Sequence, residues 1–227
     1  MKKILVIMMC LLLPTGVFAM DIRVGGAIGL SHSWPGGSDW SNIKKEQDLS
    51  SKLGLGFEIG AFVNIPINEH FSIQPELNIL FLRMKHDTMF AEDDPFLGWL
   101  NIELEETIKV TIFEIPVLAK VNLAAGPGSF SVFAGPALQI ILGDVEFEQK
   151  ASYSFLGIRF SDTFSIKSSP DSRVLFAGIF GAGYAMPMGP GNLSFDLRYR
   201  RTFTDMFDNF NLKINNISIR AGYSIGL

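Results

Sequence analysis

A set of ionisable residues recurs at alternating positions in otherwise apolar runs. Glu58 lies between Phe57 and Ile59, Glu76 between Pro75 and Leu77, and Glu114 between Phe113 and Ile115. Lys120 follows in the run after Glu114. Late in the chain come Asp196, Arg198, Arg200 and Arg220, and near its start Arg23. In a strand, such spacing puts the charges on one face and the apolar residues on the other. If the strands close into a narrow tube, the charges line its interior. Glutamates held together there could share a proton, which raises one pKa. Acids facing bases would instead cross-link the interior as a polar plug. The plug is the expected arrangement, and a proton path or narrow ion pore is its alternative.

The elements that position these groups follow from the same alternation. Apolar residues fall on every second position in eight segments, about 22–30, 53–64, 71–84, 107–123, 130–142, 173–185, 193–203 and 217–227. The last is the cleanest. Ile217, Ile219, Ala221, Tyr223, Ile225 and Leu227 alternate with Ser218, Arg220, Gly222, Ser224 and Gly226. A terminal strand leaves an edge that must be covered, and closure of a barrel removes that edge.

The connections alternate in length. Long ones cover 32–51, 85–106 and 143–172; short ones lie near Pro66–Glu69, Ala124–Ser129 and Pro187–Asn192; a medium one covers Asp205–Asn211. Short turns on one side and long loops on the other are the topology of outer-membrane barrels. The expected fold is therefore all-β: an eight-stranded antiparallel up-and-down transmembrane β-barrel with short periplasmic turns and long extracellular loops. A soluble barrel would reverse its faces, greasy inside and polar outside. Loop asymmetry and the terminal strand favour the membrane. Eight strands leave an interior just wide enough for side chains.

Folding the short hairpins about their centres pairs Val63 with Phe71, Ile115 with Leu138 and Tyr184 with Leu193, and sets Glu58 opposite Glu76. Acids then occupy the second to fourth strands. Arg198, Arg200, Arg220 and Arg23 occupy the seventh, eighth and first, with Lys120 and Asp196 as exceptions. The apolar parity flips upstream of Phe113, to Ile108, Val110 and Ile112, which suggests a bulge or an extension beyond the membrane. Alternation within 143–172 suggests a projecting hairpin. Pro75, Pro116 and Pro136 interrupt strands, where proline cannot donate to the ladder; Pro116 is expected opposite Ala137.

The first residues have the form of an export signal. Lys2 and Lys3 precede the apolar run Ile4–Leu13, and Val17-Phe18-Ala19 offers a cleavage site. The expected division is a cleaved signal peptide over 1–19 and one barrel domain over 20–227. Cys10, the one cysteine, lies in the signal, so no disulfide is expected. Without Lys2 and Lys3 the chain has 17 basic and 23 acidic residues, a net charge of −6, which argues against a nucleic-acid partner.

The stretch Glu114-Ile115-Pro116-Val117-Leu118-Ala119-Lys120 resembles the EIPLLLK stretch of PorT-like small outer-membrane barrels. Leu197-Arg198-Tyr199, the closing strand and the Gly-rich first strand are similar to that family too. The resemblance implies an eight-stranded barrel in the cell outer membrane and, for one branch, a role in protein secretion. Leu227 departs from it, standing where many such barrels end in an aromatic residue.

The sequence holds no Gly-x-Ser-x-Gly, Walker loop or His-Glu-x-x-His motif. His32, His70 and His86 have no ligand spacing. No cofactor, metal or enzymatic activity is expected. The alternative activity is lipid modification at the rim by His32, Ser38 and Asp39. The expected role is that of a monomeric, non-enzymatic barrel in contact with outer-membrane lipid. Its partners would be other envelope or secretion proteins, reached through loops 32–51, 85–106 and 143–172, where Trp34, Trp40, Phe90, Phe96, Trp99 and Phe155 lie.

Overall fold

The structure, a computed structural model, describes residues 21–37, 50–90, 101–155, 158–206 and 213–227. The expected signal peptide, Ser38, Asp39, Trp40, Phe96 and Trp99 lie outside the described residues. Ten strands make one sheet: β1 (Arg23–Gly36), β2 (Ser50–Lys52), β3 (Leu55–Pro66), β4 (Phe71–Phe90), β5 (Asn101–Ala125), β6 (Gly128–Phe155), β7 (Ile158–Ser168), β8 (Val174–Met188), β9 (Gly191–Thr202) and β10 (Lys213–Gly226). Eight of them close into an antiparallel barrel in the order β1-β3-β4-β5-β6-β8-β9-β10, with β10 returning to β1. The short β2 continues the line of β3 along β4, and β7 pairs with β6 above the barrel.

The closing strand is longer than its alternation suggested. It pairs with β1 from Arg23↔Gly226 to Gly36↔Lys213, and with β9 on its other side. Past the last strand residue, the Leu227 N–H donates to the Ile22 carbonyl at 2.9 Å.

Large apolar side chains point outward around the wall. Ile28 and Leu30 on β1, Phe57 and Ile59 on β3, Leu77 on β4, Phe176 and Phe180 on β8, Leu197 on β9 and Ile219 on β10 are each about half exposed or more. Water would not tolerate such a band; a bilayer requires it. Tyrosines fasten its lower edge to the short turns. Tyr184 Oη donates to the Ala125 carbonyl at 2.9 Å, and Tyr223 Oη to the Met188 carbonyl at 3.0 Å.

The parity flip in β5 has no backbone cause on the β4 side. The β4–β5 register keeps one phase from Phe71↔Val121 to Phe90↔Ile102. Even-numbered residues face inward on both sides of the flip: Leu118, Glu114, Ile112, Val110 and Ile108 are all buried. What changes is the medium outside. Below Thr111 the outer face meets lipid and is apolar; above it that face meets water and carries Lys109 and Glu105. A bulge does occur next door, in β6. The β5–β6 register shifts between Lys109 and Thr111, around Gly143 at φ 77°. The shift is even, so it keeps the faces.

Two hairpin registers differ from expectation. Glu58 lies opposite Leu80, and Glu76 opposite Phe62. The β3–β4 turn is the cause. Ile67 and Asn68 N–H groups both donate to the Phe71 carbonyl, at 2.7 and 3.2 Å. The Asn68 side chain accepts from the His70 and Phe71 N–H groups. This centres the turn later in the chain. Likewise Tyr184 faces Phe195 rather than Leu193. Both displacements are even-numbered, so no side chain changes face. Ile115↔Leu138 and Pro116↔Ala137 stand as folded from sequence.

Pro75, Pro116 and Pro136 gather at one patch. Pro75 faces Val117, the neighbour of Pro116, and Pro136 faces Gly178. The β5–β6 ladder skips from Pro116↔Ala137 to Ala119↔Ala134, and the β4–β5 ladder skips beyond Pro75↔Val117 to Asn78↔Glu114. The missing donors therefore loosen a single place in the wall. A Cβ at Gly135 would run into the Val117 carbonyl oxygen, so glycine lets the backbones close there.

Strand reaches into the described parts of the expected loops 32–51 and 85–106. His86 lies in β4, and β4 and β5 extend to Phe90 and from Asn101. His32, Ser33 and Trp34 lie in β1. The expected projecting hairpin is present as the upper part of β6 with β7, paired from Val145↔Ser168 to Phe155↔Ile158.

A charge on the lipid belt tests this geometry. Ile219→Arg is expected to lower the unfolding free energy in lipid vesicles by about 2–4 kcal/mol, measured by denaturant titration. Thr163→Arg, on β7 beyond the belt, is expected to change it by less than about 0.5 kcal/mol.

Candidate functional site

The interior is layered along the barrel axis. Its middle is a buried charge layer built from inward positions of β3, β4 and β5 on one side and β9 and β10 on the other. Glu76 is its hub. Arg198 grips it with two parallel hydrogen bonds, Nη1 to Oε2 at 2.8 Å and Nη2 to Oε1 at 3.0 Å. Arg220 Nη1 adds a third at 2.8 Å. Gln74 and Asn78 donate to its two oxygens, at 2.6 and 3.1 Å.

Glu114 accepts from Arg200 Nε at 3.1 Å, Gln139 Nε2 at 2.7 Å and Asn78 Nδ2 at 3.3 Å. Glu58 lies between Arg200 and Arg220, with ion-pair contacts of 2.7 and 3.2 Å. Ser218 Oγ donates to it at 3.3 Å. Arg200 also reaches Asn216 Oδ1 at 2.7 Å. All three glutamates and all three arginines are at most 2% exposed. Burial of this kind is tolerable only because each charge has both an opposite charge and hydrogen bonds.

Arg23 is not part of this layer. It pairs with Asp21 near the short-turn end, half-exposed. Asp196 joins from below by accepting from Arg198 Nη2 at 2.9 Å. Lys120 stands lower, donating to Gln74 Oε1 at 3.1 Å, with its ammonium 5.4 Å from the centre of the Phe133 ring. Arg198 covers the same ring, at 5.0 Å.

Above the charges lies a layer absent from the expectation. Leu80, Leu82, Met84, Ile108, Val110, Ile112, Ile141, Val145, Leu175 and Ile214 fill the bore, with Met206 from the β9–β10 connection packed into it. Its signal in the sequence was the parity flip itself. Gln139, Asn216 and Ser218 were also missed as members of the network. They share the inward parity of the charges, and that parity was the signal that could have found them.

Above the bore, β4, β5, β6 and β7 continue as a sheet beyond the lipid belt. Its outer face is charged. Lys85 Nζ donates to Glu105 at 2.6 Å, and this bond holds the Glu105 carboxyl below its ordinary value. Lys109 pairs with Glu148. Its other face continues the barrel interior, where burial pushes the Glu106 carboxyl up. On β7, Phe164 and Ile166 are 63% and 54% exposed.

His32 faces outward, stacked on Trp34 with ring centres 5.6 Å apart, and its Nδ1 lies 3.4 Å from the Gly54 carbonyl oxygen. Trp34 in turn neighbours Tyr199, and Tyr199 neighbours Phe180. These rings form an aromatic girdle at the upper edge of the belt. Among the described residues no group of three or more His, Cys, Asp or Glu could hold a metal ion.

An apolar belt, a closed eight-stranded sheet and a polar interior define a membrane-spanning β-barrel. The chain belongs to the family of the outer membrane protein beta-barrel domain, whose model matches residues 18–208; it is a protein of the cell outer membrane. No curated protein matches the sequence. Among solved structures it is similar to Ail, the attachment invasion locus protein of Yersinia pestis. Identity there is 14%, covering 91% of this chain and 100% of that one, with a TM-score of 0.38. It is similar to Neisserial surface protein A at 13% identity, 91% and 97% coverage and a TM-score of 0.39. A third is LpxR from Salmonella typhimurium, at 10% identity, 86% and 99% coverage and a TM-score of 0.25.

Glu76→Gln removes one charge and leaves two guanidiniums without it. The expected cost is about 3–5 kcal/mol, read as a lower urea midpoint for loss of the compact, heat-modifiable gel band. Adding Arg198→Met to Glu76→Gln is expected to recover part of that loss, because the stranded cation is removed as well.

Proposed function

We propose that this protein is a non-enzymatic interaction protein, in which a plugged barrel anchors an extracellular sheet that contacts other proteins. The supporting observation is the sheet formed by the upper parts of β4, β5 and β6 with β7. It rises past the lipid belt, and among the described residues β7 pairs with β6 alone. An edge strand of eleven residues offers unpaired backbone donors and acceptors to an extended segment of another chain. Phe164 and Ile166 supply apolar contacts beside that edge.

The partner favoured by the PorT-like resemblance is an envelope or secretion protein, engaged through segments 85–106 and 143–172. A pore is disfavoured by the two layers that fill the bore. Of the residues of the lipid-modifying alternative the structure describes His32, whose ring is stacked on Trp34 in the outward girdle; Ser38 and Asp39 lie outside the described residues.

Photo-crosslinking on intact cells tests this reading. A photoreactive residue at Phe164 is expected to capture a discrete protein partner, while one at Ile219 in the belt captures lipid. Phe164→Asp with Ile166→Asp is expected to abolish a capture made from Lys167, with the heat-modifiable band unchanged. No protein adduct from either β7 position would refute the proposal.

A further inference from the structure

Below the charge layer, toward the short turns, the bore opens into a vestibule of about 290 Å³. Gln74, Lys120 and Asp196 lie on its inner wall, with Asn64, Asn122 and Ser194 nearer the mouth. Short turns face the periplasm in an outer-membrane barrel, so the vestibule does too. It has no part in the extracellular contact proposed above.

Lys120 is the feature that needs explanation. Its ammonium carries three donors. One goes to Gln74 Oε1 at 3.1 Å, and the Phe133 ring lies 5.4 Å away. Among the described residues no carboxylate lies within ion-pair distance of it. Its position is nevertheless fixed from above. Gln74 donates through Nε2 to Glu76 at 2.6 Å, which turns its oxygen down toward Lys120 and toward Asn64, 3.3 Å away. The charge layer therefore orients the acceptor that holds the lysine. Asp196, on the same wall, gives one oxygen to Arg198 at 2.9 Å. A partly buried cation with no carboxylate within ion-pair distance, in a polar cavity whose lining also includes Arg23 and Glu69 toward the short turns, is a half-built anion site.

We infer that this vestibule binds a small organic carboxylate bearing a neighbouring hydroxyl or ammonium group. The carboxylate meets Lys120, and the second group donates to the remaining oxygen of Asp196. Asp196 disfavours a multiply charged anion by repulsion, which selects a single carboxylate over phosphate. The volume equals that of roughly ten waters, so a molecule of amino-acid or hydroxy-acid size fits and a polymer does not.

Isotope-edited NMR of the full protein in lipid nanodiscs tests the inference, with glycine and lactate as probes and acetamide and inorganic phosphate as controls. Glycine and lactate are expected to give saturable shifts at Lys120, Asn122 and Ser194, and the controls none. Lys120→Met is expected to weaken binding roughly 10-fold to 100-fold, the loss of a charge-assisted hydrogen bond; Lys120→Arg is expected to retain it. Heat-modifiable migration of each variant confirms that it folds. Absence of saturable shifts, equal shifts with phosphate, or undiminished binding in folded Lys120→Met would each overturn the inference.

Discussion

The cross-barrel pairing of Arg198, Arg200 and Arg220 with Glu58, Glu76 and Glu114 is the constraint on which the rest of the structure depends. Six ionised side chains in the middle of a membrane barrel are costly one by one. They become tolerable together because the closed sheet brings β9 and β10 across the bore from β3, β4 and β5. The same contacts keep the strands in place. A slip of any one strand would carry its arginine or glutamate away from at least two partners. The network thus ties folding to register, and it ties the last strands of the chain to the early ones.

The layers on either side follow from that core. The apolar layer above, capped by Met206, keeps extracellular water from the charges, which strengthens every pairing beneath it. The polar vestibule below lets periplasmic water reach Lys120 and Asp196 but not Glu76. On the outside the sequence answers to two media: lipid along the belt, and water above it. β5 crosses the boundary without changing phase. The upper strands can therefore rise as one continuous sheet with the barrel and present an edge outside the cell on a rigid base.

Much of this was legible in the sequence, because a period of two assigns faces without knowledge of partners. Glu58, Glu76, Glu114, Arg198, Arg200 and Arg220 were all placed on the inward face by alternation alone. Register was harder. The β3–β4 hairpin does not fold about the centre of its polar residues, because the Asn68 side chain, through its local hydrogen bonds, sets the turn. An even slip leaves every face correct, so alternation carries no signal of it. Arg23 was grouped with the inner bases on parity, yet parity carries no height, and Arg23 sits at the rim beside Asp21. The upper strands read as loops because their charges suggest solvent. The pattern had merely inverted as the outer medium changed from lipid to water, with Ile108, Val110 and Ile112 still facing inward.

Charge layer and apolar cap together fill the bore, and the role proposed on that basis is an anchor rather than a conduit. Single-channel recording of the purified protein in planar bilayers tests it most directly. A closed bore gives a flat baseline across the voltage range, with rare brief events at most. Steady, reproducible conductance steps in the wild-type protein would contradict it.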